Sequence, residues 1–175
     1  DERTALRPVT KDISRAQFLR GDFGATRNVV RPPWALEEPD FVDACTRGGD
    51  CISACPEKIL VKGRGGFPQV NFAAGECTFC GDCAKTCKSG ALTYMANRPP
   101  WALKIRIEPS CLALKQVVCR TCGECCPTGA IRFRLAAGTV ARPEVDFAAC
   151  TGCGACLAPC PVSALTIGEI VAEQA

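Results

Sequence analysis

The sequence has no histidine among its 175 residues, and only one methionine and one tyrosine. Without histidine, general acid–base catalysis at neutral pH would need a carboxylate or a lysine with a shifted pKa, and no pattern marks one. Glycine fingerprints for nucleotides, serine elbows and histidine–carboxylate pairs are missing too. The sequence therefore predicts a protein that is not an enzyme acting on the bonds of a substrate.

Long apolar runs are also missing. No stretch of about 18 apolar residues is present, so we expect no transmembrane segment. The formal net charge is only +3, and all of it falls in residues 1–31, which hold seven basic and four acidic side chains. The rest of the chain is formally neutral, and we therefore predict no nucleic-acid partner.

Cysteine is what the chain has in excess, with 16 residues. The last group is Cys150, Cys153, Cys156 and Cys160-Pro161, the C-x2-C-x2-C-x3-C-P spacing of iron-sulfur cluster ligands. A disulfide scaffold would not repeat this spacing, and structural zinc uses cysteine pairs rather than triplets followed by a fourth cysteine before proline. Thiolate clusters need a reducing compartment, so we expect the protein in the cytoplasm.

Two groups in the N-terminal half follow the same spacing. The second group keeps all four cysteines: Cys77, Cys80, Cys83 and Cys87. Lys88 then stands where proline is usual, which changes nothing in the ligand chemistry. The first group keeps three cysteines: Cys45, Cys51 and Cys55. Gly48 stands at the second ligand position, so one thiolate is missing.

The third group is irregular. Cys119, Cys122 and Cys126-Pro127 keep the last two spacings. The first ligand position is most simply taken by Cys111, across an insertion at residues 112–118, which leaves Cys125 spare. The alternative makes Cys125 the third member of a regular triplet and leaves Cys111 or Cys126 spare. The first assignment is favoured because the Cys-Pro position is the fixed end of the motif.

The chain is internally duplicated. The string RPPWAL occurs at residues 31–36 and again at 98–103, and FPQVNFAAGEC at 67–77 matches RPEVDFAAC at 142–150. This repeat predicts a flexible basic arm over residues 1–30 and two tandem units over 31–97 and 98–175. Trp34 and Trp101, one in each copy, either pack over the cysteine loops or anchor a partner, and packing is favoured.

Short strands and helices are predicted around the cysteines, giving an α+β fold. Extended segments precede the second and fourth groups, and glycines mark the turns. The apolar runs predict strands at 59–61, 92–94, 131–134 and 165–167, and we expect short helices at 51–55, 83–87 and 153–160. Units of this size have small apolar cores, so folding should depend on the metal.

Residues 45–167 resemble the bacterial-type ferredoxins that hold two [4Fe-4S] clusters. In that family the fourth cysteine of each motif completes the cluster of the other motif. The resemblance implies four clusters on fifteen ligands, in four sets: Cys45, Cys51 and Cys87; Cys55, Cys77, Cys80 and Cys83; Cys111, Cys119, Cys122 and Cys160; Cys126, Cys150, Cys153 and Cys156.

Three or four of these clusters would be [4Fe-4S]. The set with three thiolates fits a [3Fe-4S] centre or a [4Fe-4S] cluster with one labile iron. A further side chain could instead supply the missing ligand, and Asp50 is the nearest carboxylate in the sequence.

Residues 14–20 read S-R-A-Q-F-L-R, which is similar to a twin-arginine export signal. Ala16 replaces the second arginine and no apolar core follows, so export is not expected. Together with RPPWAL and the third cysteine group, this segment resembles the NapF family of ferredoxin-type proteins, which are encoded with periplasmic nitrate reductases.

The resemblance to the NapF family implies a cytoplasmic accessory protein. It would meet the catalytic subunit of the nitrate reductase before export and assist maturation of that subunit, by loading its iron-sulfur cluster or delivering electrons. The alternative is a general electron carrier, or an electron-transfer subunit of another oxidoreductase. The residues do not identify the electron donor.

Overall fold

The computed structural model describes residues 29–135 and 137–169, so the predicted basic arm and its export-like segment lie outside it, apart from Val29 and Val30. The described part mixes short helices and short strands, in agreement with the predicted α+β class. In chain order the elements are α1 (Glu38–Ala44), α2 (Asp50–Ser53), β1 (Leu60–Lys62), a 3-10 turn (Arg64–Gly66), β2 (Pro68–Val70), α3 (Asp82–Lys85), β3 (Leu103–Ile107), α4 (Thr121–Glu124), β4 (Ile131–Arg134), β5 (Arg142–Val145) and β6 (Leu165–Glu169). Across these residues, no helix has both the length and the apolar character needed to span a bilayer.

The strands pair in the same nested order in both halves. In each half an inner antiparallel hairpin forms, β1 with β2 and β4 with β5. An outer antiparallel contact joins the start of the half to its end. In the second half this contact is the pair β3–β6, and in the first half it is a single bridge between Ala35 and Leu92. The tertiary pairing thus follows the sequence duplication.

Each half has its own apolar core, and cysteines form part of both. Phe41, Leu60 and Leu92 are buried in the first core together with Cys51 and Cys83. In the second core, Ile105, Ile131 and Leu165 surround Cys150 and Cys156. Few large side chains are available for either core, so the thiols replace part of the usual apolar packing.

Arg31, the first residue of the first RPPWAL copy, joins α1 to β2. Its guanidinium forms a bidentate ion pair with Glu38, at 2.8 and 2.6 Å, and donates to the carbonyl of Pro68 at 3.1 Å. The same group lies over the rings of Phe41 and Phe67, 4.9 and 5.5 Å from their centroids. These combined contacts hold the entry to the first half against its hairpin.

Most of the predicted strands and helices were confirmed. Strands at 131–134 and 165–167 are present, β1 is shifted by one residue, and α2 and α3 occupy the first two predicted helical positions. The strand predicted at 92–94 is wrong, because only Leu92 forms a bridge.

The helix predicted at 153–160 is also wrong, since residues 155–159 form turns. Gly154 has φ +85° and Pro159 has no N–H, and both features oppose a continuous helix. Elements α1, α4 and β3 were not predicted.

The two halves pack against each other. The N–H of Trp34 donates to the carbonyl of Pro100, and the N–H of Cys77 to that of Cys153, each at 2.8 Å. The ring of Phe72, buried in the first half, lies so close to Gly154 that a Cβ there would overlap it. Two backbone hydrogen bonds and a glycine contact therefore set how the halves meet.

Replacing Gly154 by alanine should destabilise the protein more than the same change at Gly138. Both glycines have positive φ, so each alanine carries about 1–2 kcal/mol of backbone strain. Gly138 has open space beside it, whereas Gly154 faces Phe72, and overpacking adds about 1–3 kcal/mol. Anaerobic thermal unfolding of the full chain measures both effects, and equal losses for the two variants would contradict the close packing.

Candidate metal centres

Four of the predicted ligands, Cys55, Cys77, Cys80 and Cys83, line one cavity. Cys83 lies on α3, whereas Cys55 comes from the loop after α2, so the cavity combines two cysteine groups. Burial, reinforced by the charges of neighbouring cysteines, raises the pKa of Cys83 to about 12 and that of Cys77 to about 11. Without a metal these thiols are protonated at neutral pH, and a bound metal would displace their protons.

A second cavity is lined by another four predicted ligands, Cys111, Cys119, Cys122 and Cys160. Cys122 lies on α4, and burial with the charges of Cys111 and Cys119 raises its pKa to about 11. The sulfur of Cys160 accepts the N–H of Ala164 at 3.2 Å. The structure thus brings Cys111 to the other three across the insertion at 112–118.

In the fourth set, Cys150 and Cys156 are buried in the core of the second half and Cys126 packs against it. The charge of Cys153 acts on Cys156. Burial raises the pKa of Cys156 to about 12, with contributions from the charges of Cys153 and Cys126. Burial also acts to raise the pKa of Cys126, but the Thr128 hydroxyl and backbone N–H groups outweigh it and lower that pKa. The sulfur of Cys126 accepts the N–H of Ala130 at 3.3 Å, as Cys160 does from Ala164.

The set with three thiols is formed by Cys45, Cys51 and Cys87. Cys51 is buried on α2, and burial followed by the charges of Cys87 and Cys45 raises its pKa. Burial acts in the same direction on Cys87, but the Ser89 hydroxyl, 3.5 Å away, and backbone N–H groups lower its pKa overall. The three thiols therefore lie close together although their group lacks a cysteine.

The loop around Gly48 keeps the conformation of the intact groups. Positive φ recurs at the second and fourth positions after the first cysteine in three groups: Arg47 and Gly49, Phe79 and Gly81, Gly152 and Gly154. The loop without a second cysteine therefore has the same pair of positive φ values as the two loops that have one. A Cβ on Gly48 would have its nearest contact at 3.8 Å, the Thr46 hydroxyl, so a side chain would fit.

Asp50, the carboxylate considered as a substitute ligand, lies at the surface. Its Oδ2 atom is 3.8 Å from Nζ of Lys88, and both side chains are exposed. An exposed pair at this distance contributes little to stability. It nevertheless places the carboxylate beside the lysine that replaces proline after Cys87.

Cys125 differs from the other cysteines of its group. It is exposed and follows the last residue of α4. Cys111 lines the second cavity and the charge of Cys126 acts on Cys156. Either cysteine that the alternative triplet would leave spare therefore lies near other thiols. The geometry favours the assignment in which Cys125 is spare.

The donor set fits a multi-iron cluster better than a single ion. Considering residues 29–135 and 137–169, no three Cys, Asp or Glu side chains converge closely enough to hold one metal ion. Thiolates around one zinc lie about 2.3 Å from it. In an iron-sulfur cluster each thiolate binds a different iron, so the four sulfurs are more widely spaced and line a larger space.

The four sets adjoin one another in pairs, and the order that these contacts define is called the row of sets below. The charge of Cys51, in the three-thiol set, acts on Cys83 of the first cavity. Cys77 of that cavity is hydrogen-bonded through its N–H to Cys153 of the second half. The charge of Cys122, on the second cavity, acts on Cys156. The three-thiol set and the second cavity are therefore the two ends of the row.

Some features of the site were not predicted from the sequence. Hydroxyl groups approach two of the fourth-position cysteines, Ser89 at Cys87 and Thr128 at Cys126, each two residues after the cysteine. This C-x-S/T pattern was a signal available in the sequence. The paired positive φ values had no such signal at Arg47 and Phe79, because those residue types rarely adopt them.

Comparison with known proteins agrees with this geometry. A 4Fe-4S dicluster domain model matches residues 44–91, and a 4Fe-4S binding domain model matches residues 143–166. The chain is 48% identical over 172 residues to the ferredoxin-type protein NapF of Haemophilus influenzae, covering 93% of this chain and 97% of the relative. The chain belongs to the NapF family. It is therefore an iron-sulfur protein of the ferredoxin type.

Other relatives extend the comparison. NapF of Escherichia coli K12 is 42% identical over 155 residues, which cover 89% of this chain and 94% of that protein. The methylamine utilization ferredoxin-type protein MauM of Methylophilus methylotrophus is 32% identical over 157 residues, covering 80% and 70% of the two chains. The similarity thus includes ferredoxin-type proteins outside the NapF family.

Changing Gly48 to cysteine should add a fourth thiolate to the three-thiol set. The position has room for the side chain, and its loop already has the conformation of the intact groups. We expect a wild-type signal from a [3Fe-4S] centre, or an iron that chelators remove readily, and its loss in Gly48→Cys. EPR spectra and iron counts measure this, with Gly48→Ala as the control. A wild-type chain that holds four full, chelator-resistant clusters would contradict the expectation.

Alkylation of the loaded protein should modify Cys125 alone. It is exposed and is assigned to none of the four sets, whereas bound iron would protect the other fifteen cysteines. Mass spectrometry after anaerobic treatment with a maleimide identifies the modified residue, and Cys125→Ser should remove the label without changing the iron content. Modification of Cys111 or Cys126 instead would favour the alternative triplet.

Proposed function

We propose that the chain is an electron-transfer and maturation accessory with four iron-sulfur clusters in two tandem two-cluster units, residues 31–97 and 98–175. The observation that carries the proposal is the row of four cysteine sets. Each set combines cysteines from two groups of its own half, which is the exchange expected for two-cluster ferredoxins. The repeated hairpin and outer contact in each half support the same division.

The fifteen cysteines assigned from the sequence would be the ligands. Two cavities support the sets around Cys83 and Cys122, and mutual charge effects support the sets around Cys51 and Cys156. The clusters, when bound, supply one-electron transfer. The chain's own contribution is to hold the thiolates at fixed separations, surround them with apolar side chains, and donate N–H and hydroxyl hydrogen bonds to sulfur.

The contact between the halves supports one continuous electron-transfer protein rather than two independent carriers. Cys77 and Cys153 belong to sets of different halves, and their backbones are joined directly at 2.8 Å. Phe72, Gly154 and Trp101 pack beside this hydrogen bond. The separation between the two inner sets is therefore held by the backbone and not by a flexible linker.

Membership of the NapF family links the chain to the nitrate reductase system. We infer that the protein acts in the cytoplasm on the catalytic subunit of periplasmic nitrate reductase before its export, by loading its iron-sulfur cluster or delivering electrons to it. A three-thiol set at one end of the row would suit the loading role, since an iron with an open ligand position exchanges more readily. The electron donor is left open.

A general electron carrier, or an electron-transfer subunit of another oxidoreductase, is the second candidate. It is favoured by the relatives named for methylamine utilization, which share the ferredoxin-type chain but carry the name of another system. The two candidates differ in the partner that they bind and in whether the partner gains a cluster.

Incubating the loaded protein with the cluster-free precursor of the catalytic subunit should distinguish these candidates. A maturation accessory should bind the precursor and increase its iron content and nitrate reductase activity. Iron analysis of the separated precursor measures this, and mature, cluster-containing subunit is the binding control. Cys125→Ser should behave as wild type, because Cys125 is outside the four sets. Binding only to a reductase, with no effect on the precursor, would favour the carrier.

A further inference from the structure

The two copies of RPPWAL place their tryptophans in different environments. The indole N–H of Trp101 donates to the carbonyl of Thr151 at 3.0 Å. Its ring packs edge-on against Phe72 and Phe79, with centroids 6.1 and 5.6 Å away. The indole N–H of Trp34 is buried and has no hydrogen-bond partner within residues 29–135 and 137–169. One copy is therefore satisfied by the protein itself and the other is not.

The backbone around Trp34 holds its side chain in place. The residue has φ +59°, which is unusual for a bulky side chain and needs support from its surroundings. Its N–H donates to the carbonyl of Pro100 at 2.8 Å, and its carbonyl accepts the N–H of Thr93 at 3.1 Å. The ring also packs against Tyr94, with centroids 4.8 Å apart. The position of the indole is thus imposed by contacts on several sides.

A buried N–H without an acceptor is rare in proteins because it loses its hydrogen bonds to water on folding. Trp34 lines the cavity formed by Cys55, Cys77, Cys80 and Cys83. The polar groups that line this cavity are the four thiols, the side chains of Glu57 and Thr78, and backbone groups. The other side chains that line it are apolar. Sulfur is the acceptor that the cavity would supply when its cluster is present.

We propose that the indole N–H of Trp34 donates a hydrogen bond to a sulfur of the iron-sulfur cluster held by Cys55, Cys77, Cys80 and Cys83. This proposal rests on the ligand assignment proposed above. A donor to cluster sulfur stabilises the reduced state more than the oxidised state, because the reduced cluster carries one more negative charge. Trp34 would therefore raise the reduction potential of this cluster, and Trp101, with its N–H on Thr151, would not act in this way.

The substitution Trp34→Phe tests this role, because it removes the N–H and keeps an aromatic ring. We expect unchanged iron content and a lower reduction potential for one of the clusters. The shift should be at most about 59 mV, which corresponds to a tenfold change in the ratio of reduced to oxidised cluster at a given potential. Trp101→Phe is the matched control, since it makes the same change in the same hexapeptide, and it should leave the potentials unchanged. EPR-monitored redox titration of the loaded full chain measures both variants.

Isotope labelling tests the hydrogen bond directly, since Trp34 and Trp101 are the two tryptophans of the chain. With indole nitrogen labelled as 15N, the Trp101→Phe protein carries the label only at Trp34, and the Trp34→Phe protein only at Trp101. Pulsed EPR of the reduced proteins should detect a 15N hyperfine coupling in Trp101→Phe, where Trp34 is labelled. The coupling should be weaker or missing in Trp34→Phe, where Trp101 is labelled.

These readouts separate failure of this proposal from failure of the ligand assignment. Full iron content with unchanged potentials in Trp34→Phe, and no 15N coupling from Trp34, would overturn the hydrogen bond while leaving the four clusters in place. Loss of iron in Cys83→Ser, with full iron in Cys125→Ser, tests the ligand assignment independently of tryptophan. If Trp34→Phe loses iron, the 15N coupling in Trp101→Phe decides the proposal by itself.

Discussion

Burial of cysteine thiols inside small apolar cores is the constraint on which the rest of this structure depends. Cys83 and Cys156 are buried in the two apolar cores, and burial raises the pKa of each to about 12. A thiolate at such a position is stable only when a metal neutralises it. We therefore expect metal binding and formation of the cores to be coupled, since units of this size have small apolar cores.

The ligand loops show how the backbone serves this constraint. Pairs of positive φ values turn the chain tightly between successive cysteines, and the same pairs are present in three of the four groups. The group that lacks a cysteine at Gly48 keeps this turn, which indicates that the loop conformation comes from its packing in the fold and not from the ligand at that position. A three-thiol site is thus built on an intact loop.

Duplication produced two similar halves that use their shared residues differently. Arg31 holds α1 and β2 together through an ion pair, a carbonyl contact and two aromatic rings. The same hexapeptide in the second half leads into the five-residue strand β3 instead, which pairs with β6. The contact between the halves, through Cys77 and Cys153, then places the two inner thiol sets next to each other.

The grouping of the ligands is a prediction from the resemblance to two-cluster ferredoxins. The sequence identified the class of protein through its cysteine spacing and located most strands through its apolar runs, because both patterns act over a few positions. It could not determine the turn at residues 155–159, where Gly154 has to fit against Phe72 of the other half. Nor could it distinguish Trp34 from Trp101, since their hexapeptides are identical. The tertiary structure shows which indole reaches a backbone carbonyl and which is left beside the thiols, because that depends on contacts between residues fifty or more positions apart.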